Sequence, residues 1–211
     1  KVNEYFQSVQ GEGCYTGTPT FFIRMQGCDV GCTFCDTKYT WSFKTRQVSH
    51  TELQQGKPQH ADMSIQKLKE LSGYTRHIVI TGGEPCLQDL QPLTTSLLDF
   101  GKTVQIETSA TAEILADQRT WITISPKFNN PGKKPILASA VERANEFKFP
   151  IATIEDLDVV DQFFRDYPNA KNMVWLQPIS MCEKATKVCI DEARKRGWRI
   201  SVQVHKFLGL R

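Results

Sequence analysis

Three cysteines in one short segment are the residues best suited to chemistry. Cys28, Cys32 and Cys35 follow the pattern C-x3-C-x2-C, and three thiolates on one tight loop can bind a metal group without distant sequence. Structural zinc usually takes four protein ligands in two separated pairs, and only the isolated Cys14 is a candidate fourth ligand. An iron–sulfur cube has four irons, so three cysteines would leave one iron open to an exogenous ligand, as catalysis needs. Free thiols, structural zinc and an open iron–sulfur cluster are the alternatives.

The composition limits the class of protein. The chain has 211 residues, of which 40% are hydrophobic and 23% charged, as in one globular domain over residues 1–211. A net charge of +3 does not argue for a nucleic-acid partner, and no apolar run approaches the roughly 18 residues of a membrane helix. Residues 1–10 lack a secretory signature, and seven cysteines, an odd number, favour free or ligating thiols. We therefore expect a cytoplasmic protein without nucleic-acid or membrane partners.

Short β-rich runs alternate with amphipathic helical stretches. The predicted strands are residues 20–25, 77–81, 103–107, 121–124, 146–149, 173–177 and 199–204. Predicted helices cover residues 61–71 and 89–100, a third starts at Thr153, and a fourth runs from a Ser180–Glu183 capping box to Gly197. This order predicts an α/β fold with a mainly parallel sheet, either doubly wound or a barrel. Because a complete TIM-type barrel takes about 250 residues, the length favours an incomplete barrel of six or seven parallel strands with outer helices.

A second motif follows the second predicted strand. The sequence Gly-Gly-Glu-Pro at residues 82–85, with the cysteine loop and its Phe34, resembles the radical S-adenosylmethionine (SAM) superfamily. The resemblance implies a [4Fe-4S] cluster on Cys28, Cys32 and Cys35, with SAM chelating the open iron and the second motif holding its amino group. One electron would then cleave SAM to a 5′-deoxyadenosyl radical that abstracts a substrate hydrogen. The protein would supply orientation and a cavity without water.

Further runs, spread over nearly the whole chain, narrow this resemblance. They are residues 6–13, 22–24, 35–37, 106–109, 121–127, 176–178 and 205–206. They are similar to the 7-carboxy-7-deazaguanine synthase (QueE) family. The resemblance implies a lyase that contracts 6-carboxy-5,6,7,8-tetrahydropterin to 7-carboxy-7-deazaguanine with loss of ammonia, in queuosine and 7-deazapurine biosynthesis. It also implies a homodimer, and a flavodoxin or similar donor is the expected reducing partner.

The same resemblance assigns roles by position. Thr37 corresponds to the Mg²⁺ ligand, although its hydroxyl could instead bond its own loop. The predicted substrate contacts are Val9, Gln10, Gly11, Glu12, Arg24, Thr81 and His205. The predicted SAM contacts are Phe34, Asp36, Gly83, Glu84, Ser109, Ser125, Pro126, Lys127, Gln177 and Ser180. Ser180 could equally cap a helix, and His205 could be a core residue.

Physical chemistry supports some of these roles. The flat donor and acceptor edge of a pterin can be matched by Gln10, Glu12 and nearby backbone. Arg24 can pair with the substrate carboxylate through two parallel hydrogen bonds.

Two other functions remain open from sequence. Another small radical SAM enzyme, such as a glycyl-radical activase, would share the cysteine loop but would not need the turn at residues 10–13 or Thr37. A zinc-stabilised binding module would have no catalysis. The chain ends in Arg211, and we assign no role to this tail.

Overall fold

The structure is a computed structural model that describes residues 1–210, and of Met181 only the backbone; the tail residue Arg211 lies outside the described part. The strands are β1 (Val2–Val9), β2 (Pro19–Met25), β3 (Arg46–Gln47), β4 (Gln59–His60), β5 (His77–Gly82), β6 (Thr103–Thr108), β7 (Trp121–Ile124), β8 (Glu146–Ile151), β9 (Met173–Pro178) and β10 (Arg199–Ile200). The helices are α1 (Ile65–Ser72), α2 (Gln91–Asp99), α3 (Ala138–Glu142), α4 (Asp156–Asp166), α5 (Glu183–Arg196) and α6 (Val204–Phe207). No helix within residues 1–210 is long and apolar enough to span a bilayer.

The main sheet is an open barrel. Its strand order is β1-β2-β5-β6-β7-β8-β9-β10, with β1 antiparallel to β2 and every other neighbouring pair parallel. The segment after β1 links the two sheet edges, because Gly11 O accepts from Val204 N at 3.0 Å and Gly13 N donates to Ser201 Oγ at 3.1 Å. Seven parallel strands in an incomplete barrel confirm the expected fold class.

The strands separate an apolar outer layer from a polar interior. Successive side chains of a strand point to opposite faces. In β8, Phe147 and Phe149 are fully buried and pack against Phe163 of α4, whereas Glu146 and Lys148 point inward. The outer layer therefore forms the hydrophobic core, and the interior is available for a polar site.

Three regions differ from the sequence-based expectation. The edge strand β1 was not predicted. The run at 199–204 forms a strand only at Arg199–Ile200, because Val204 already begins α6. The predicted Ser180 cap is wrong: α5 begins at Glu183 with Cys182 as its N-cap residue, and Ser180 has a left-handed backbone, φ 54°. Gly197 does end α5, with φ 69°.

Candidate active site

A cavity of about 390 Å³ opens inside the barrel. Its wall includes every predicted site residue except Pro126, which is buried. The wall residues among those predicted are Val9, Gln10, Gly11, Glu12, Arg24, Cys28, Cys32, Phe34, Cys35, Asp36, Thr37, Thr81, Gly83, Glu84, Ser109, Ser125, Lys127, Gln177, Ser180 and His205. Since parallel strands end at one rim, loops far apart in sequence meet around one space.

The cysteine loop is held mainly through its backbone. Gly27 N donates to Thr40 O at 2.7 Å, and Cys28 N donates to Trp41 O at 3.1 Å. The thiols of Cys28 and Cys32 are half-buried, and burial raises the pKa of both. The ammonium of Lys127 opposes this rise for the pKa of Cys32.

The donor set fits an iron–sulfur cube. All three thiols face the cavity, and among residues 1–210 all are free of disulfides. Within the described chain, no three Cys, His, Asp or Glu side chains converge closely enough to hold a single metal ion. A cube does not need that convergence, because each thiolate binds a different iron. Cys14, the candidate fourth zinc ligand, lies elsewhere, with its N–H bonded to Glu146 at the first residue of β8.

The Gly-Gly-Glu-Pro segment packs directly on the cysteine loop. Gly83 N donates to Met25 O at 3.0 Å, and Glu84 N donates to Gly27 O at 2.9 Å. A Cβ on Gly83 would overlap the carbonyl of Gly27 and lie 3.1 Å from Cys28 Cβ. Only glycine allows this approach, so the two motifs form one rigid corner of the cavity.

Glu84 ties this corner to β6. Its buried carboxylate accepts from Thr108 Oγ1 at 2.6 Å, from Ser109 N at 2.9 Å and from Ser109 Oγ at 2.5 Å. Cys86 N adds a fourth hydrogen bond at 3.1 Å. The Glu84 carboxylate therefore joins the Gly-Gly-Glu-Pro segment to the end of β6.

Another part of the cavity wall carries three charged side chains and one amide, which we call the carboxylate floor: Gln10, Glu12, Glu107 and Lys148. The Lys148 ammonium donates to Glu12 and lies 3.3 Å from Glu107. Gln10 donates to Glu107 at 2.9 Å and accepts from Glu12 N at 3.1 Å. Its side-chain nitrogen also donates to Gln105 at 3.3 Å, so both N–H groups are used within the protein, and a direct contact of Gln10 with substrate stays a prediction.

Neighbouring charges keep the floor ionised. Burial raises the pKa of Glu12, but the Lys148 ammonium and the amide of Gln203, 2.8 Å away, outweigh it, and the pKa falls well below its usual range. Burial lowers the pKa of Lys148, but Glu107 and Glu12 outweigh it and raise that pKa. Each charge stabilises its partner.

Comparison with known proteins decides the family. Residues 22–158 match the model of the Radical SAM superfamily. The chain is 43% identical to 7-carboxy-7-deazaguanine synthase of Escherichia coli strain K12 over 218 residues, covering 99% of this chain and 98% of that protein. The corresponding enzyme of Buchnera aphidicola is 43% identical over 219 residues, covering 100% and 98%. The crystal structure of QueE from Escherichia coli matches with a TM-score of 0.92 and 42% identity, covering 97% of this chain and 93% of that chain.

The chain belongs to the 7-carboxy-7-deazaguanine synthase family. As a radical SAM enzyme of this family, it uses a [4Fe-4S] cluster and SAM.

In this family member, the remaining predicted residues have defined local contacts. Thr37 Oγ1 lies 3.5 Å from Cys35 Sγ, and Arg24 Nε donates to Glu4 at 2.7 Å. Lys127 Nζ donates to Ser125 Oγ at 2.5 Å. His205 is half-buried at the cavity wall against Gly11, where a Cβ would overlap its ring, so it is not a core residue.

Part of this wall lies outside the residues that the sequence predicts. Lys148 and Gln203 were not singled out, and Glu107 appeared only within a matching run. The sequence does contain one signal for two of these residues. In β8 and β6, polar residues that include Lys148 and Glu107 alternate with apolar ones, which indicates a polar inner face.

Proposed function

We propose that this protein converts 6-carboxy-5,6,7,8-tetrahydropterin to 7-carboxy-7-deazaguanine with loss of ammonia, as a lyase of 7-deazapurine biosynthesis. The observation that carries the proposal is that one cavity joins the cysteine loop to the carboxylate floor. The first suits a cluster and SAM, and the second suits a small polar heterocycle. The relatives compared above are named for this activity, as 7-carboxy-7-deazaguanine synthases.

The cofactor end is assigned as follows. The cluster is held by Cys28, Cys32 and Cys35. The backbone beside SAM is shaped by Gly83 and by the hydrogen bonds of the Glu84 carboxylate. When bound, the cluster and SAM supply a 5′-deoxyadenosyl radical. The remaining SAM contacts are Phe34, Asp36, Ser109, Ser125, Lys127, Gln177 and Ser180. These side chains surround the cofactor and exclude water from the radical.

The substrate end uses charge and hydrogen bonding. Arg24 faces the cavity from β2 and pairs with the substrate carboxylate. Glu12 accepts hydrogen bonds from the donor edge of the pterin, and Val9, Gly11, Thr81 and His205 border the ring. Mg²⁺ prefers oxygen ligands and keeps several waters, so the Thr37 hydroxyl and the substrate carboxylate suffice as its fixed ligands.

Other features of the proposal concern the whole molecule. Residues 1–211 form one domain, because strands from both ends of the chain enter one sheet. We place the protein in the cytoplasm, a reducing compartment, because all seven cysteines in the described chain are free. It acts as a homodimer, and a flavodoxin or similar protein supplies the electron.

A product assay tests the proposal. Protein purified and reconstituted without oxygen is given reductant, SAM, Mg²⁺ and the carboxytetrahydropterin, and 7-carboxy-7-deazaguanine is measured by mass spectrometry. We expect product in proportion to enzyme. Formation of 5′-deoxyadenosine by an intact cluster without any deazaguanine product would refute the substrate assignment.

A further inference from the structure

Lys148 occupies the centre of the carboxylate floor. It stands in the middle of β8, and its ammonium lies between Glu12, from the segment after β1, and Glu107, from β6. The Lys148 side chain is only 6% exposed, whereas Glu12 and Glu107 are 12% and 22% exposed. All three side chains line the cavity, and the lysine is the least exposed of them.

Lys127 and His205 also act electrostatically on Glu12, but neither forms an ion pair with it. Lys127 is directed to Ser125 and lies 5.8 Å from the Phe34 ring centroid, on the cysteine side. His205 and Lys206 line the wall contributed by α6, and Lys206 Nζ donates to Gln203 at 2.7 Å.

Two carboxylates belong to neighbouring groups. Glu146, on the same strand as Lys148, accepts from Thr123, Trp175 and the backbone of Cys14. Glu84 accepts hydrogen bonds from the hydroxyls of Thr108 and Ser109. Lys148 is thus the cation that bridges the Glu12 and Glu107 carboxylates.

Two carboxylates in one enclosed cavity do not both stay ionised without a compensating cation. They share a proton, and the higher of their two apparent pKa values rises. The shared proton turns one carboxylate oxygen from a hydrogen-bond acceptor into a donor. A donor cannot pair with a ligand edge made of N–H groups. The pterin ring presents such an edge, with a ring N–H beside an exocyclic amino group.

We propose that Lys148 is a positioning residue that keeps Glu12 and Glu107 ionised together, so that the pair accepts hydrogen bonds from the donor edge of the pterin. This proposal rests on the proposed function. Lys148 itself does not touch the substrate; it acts through the two carboxylates. Gln10 completes the arrangement by joining Glu107 to the backbone of Glu12.

The test is the pH dependence of pterin binding. The Kd of 6-carboxypterin, the oxidised form of the substrate, is measured for the reconstituted enzyme between about pH 5.5 and about pH 7.5, where a shared proton would be titrated. We expect the wild-type Kd to show no shared-proton dependence, so that its pH profile carries only the contribution of His205, which all variants share. In Lys148→Met it should rise about tenfold or more at the acid end and recover as the pH rises, because the shared proton is then lost. In turnover the same variant should raise KM more than it lowers kcat.

Two further variants keep the test decisive. In Lys148→Met/Glu12→Gln only Glu107 of the pair remains ionisable, so proton sharing ends. The Kd should again follow the wild-type pH profile, although binding is weaker than in the wild type. Lys148→Arg keeps the charge and should also follow the wild-type pH profile. The control is Lys102→Met, since Lys102 is likewise buried but donates only to the carbonyls of Gly73 and Thr75.

The outcomes separate this proposal from the proposed function. Absence of deazaguanine product from the wild type would overturn the proposed function itself. If the wild type makes product but Lys148→Met binds normally, or loses affinity equally at every pH, Lys148 has no role or only a structural one. Persistence of the pH dependence in the double variant would also overturn the proposal.

Discussion

The cysteine loop and the carboxylate floor line the same cavity but are built differently. The loop is fixed through backbone hydrogen bonds such as Gly27 N to Thr40 O, while its thiols face the cavity. On the floor, by contrast, the side chains of Glu12, Glu107 and Lys148 are already bonded to one another. The first region presents ligands for a group that is not protein, whereas the second is assembled from the protein alone.

This difference follows from what each region must bind. A cluster brings its own strong metal–sulfur bonds, so the protein needs only to hold the loop at the correct place. The pterin ring that faces the floor brings only hydrogen bonds, so the groups that recognise it must be ordered beforehand to limit the entropic cost of binding. Changes at the loop should therefore act on the cofactors, and changes at the floor on affinity and stability.

The largest effect is expected from the loop. Cys32→Ala removes one of three cluster ligands, and we expect it to abolish product formation. The fold should be kept, because the hydrophobic core lies on the outer face of the strands. Iron and acid-labile sulfide per chain, with circular dichroism, measure this. Cys182→Ala, at an exposed cysteine, is the control and should retain full iron and activity. A Cys32→Ala protein with normal turnover would contradict the cluster assignment.

The corner between the two motifs should be nearly as sensitive. In Gly83→Ala the new methyl overlaps the Gly27 carbonyl, so the cysteine loop must move. A shift of about 1 Å in a radical site can cost about a hundredfold in rate, and we expect that loss in single-turnover assays with iron content measured in parallel.

A variant at a second glycine separates the effect of the Gly27 contact from the effect of backbone strain. Gly101→Ala also introduces a methyl, but Gly101 has open space and φ +79°, so it tests strain alone. It should be less stable yet fully active. Equal activity losses in both variants would show that the contact with Gly27 is unimportant.

How far the sequence predicts each region depends on separation along the chain. The cysteine loop is a local pattern within a few residues, and its chemistry is legible from spacing. Glu12 and Lys148 are 136 residues apart, and they meet only because β8 and the segment after β1 border one interior. Alternation in β8 predicts that Lys148 points away from the core, but not which partner it meets.

The same distinction applies to the fold. The parallel strands were predicted because each is a short β-rich run next to a turn signal. The edge strand β1 mixes Asn3, Glu4 and Gln7 with aromatic residues, so it lacks the clear alternation that would identify it. Its place is set by pairing with β2, which is a tertiary effect.

A variant of Thr37 tests whether this residue belongs to the proposed metal site or only to the cysteine loop. If its hydroxyl binds Mg²⁺, Thr37→Ala should lower activity about tenfold or more and change which divalent ion supports turnover best. The measurement is a titration of Mg²⁺ and Mn²⁺ at saturating SAM. Thr33→Ala is the control, because Thr33 is exposed on the same loop. An unchanged metal response in Thr37→Ala would remove Thr37 from the metal site.

The smallest effect concerns the floor and appears in stability. Because the native pKa of Glu12 is lowered, chiefly by Lys148 acting against burial, its ionised form stabilises the fold above the unfolded pKa, near 4.5. That contribution is present at neutral pH and is lost as the pH falls toward the native pKa. Glu12→Gln should therefore lower the free energy of unfolding by about 1–3 kcal/mol at neutral pH, and the difference should shrink in acid.

Urea denaturation of identically prepared proteins between about pH 7 and about pH 3 measures this difference. The control is Glu142→Gln, since Glu142 is exposed and its charge contributes little. A Glu12→Gln deficit that stays constant with pH would mean that hydrogen-bond geometry, rather than charge, holds the floor together. The preassembly that distinguishes the floor from the cysteine loop would then not be electrostatic.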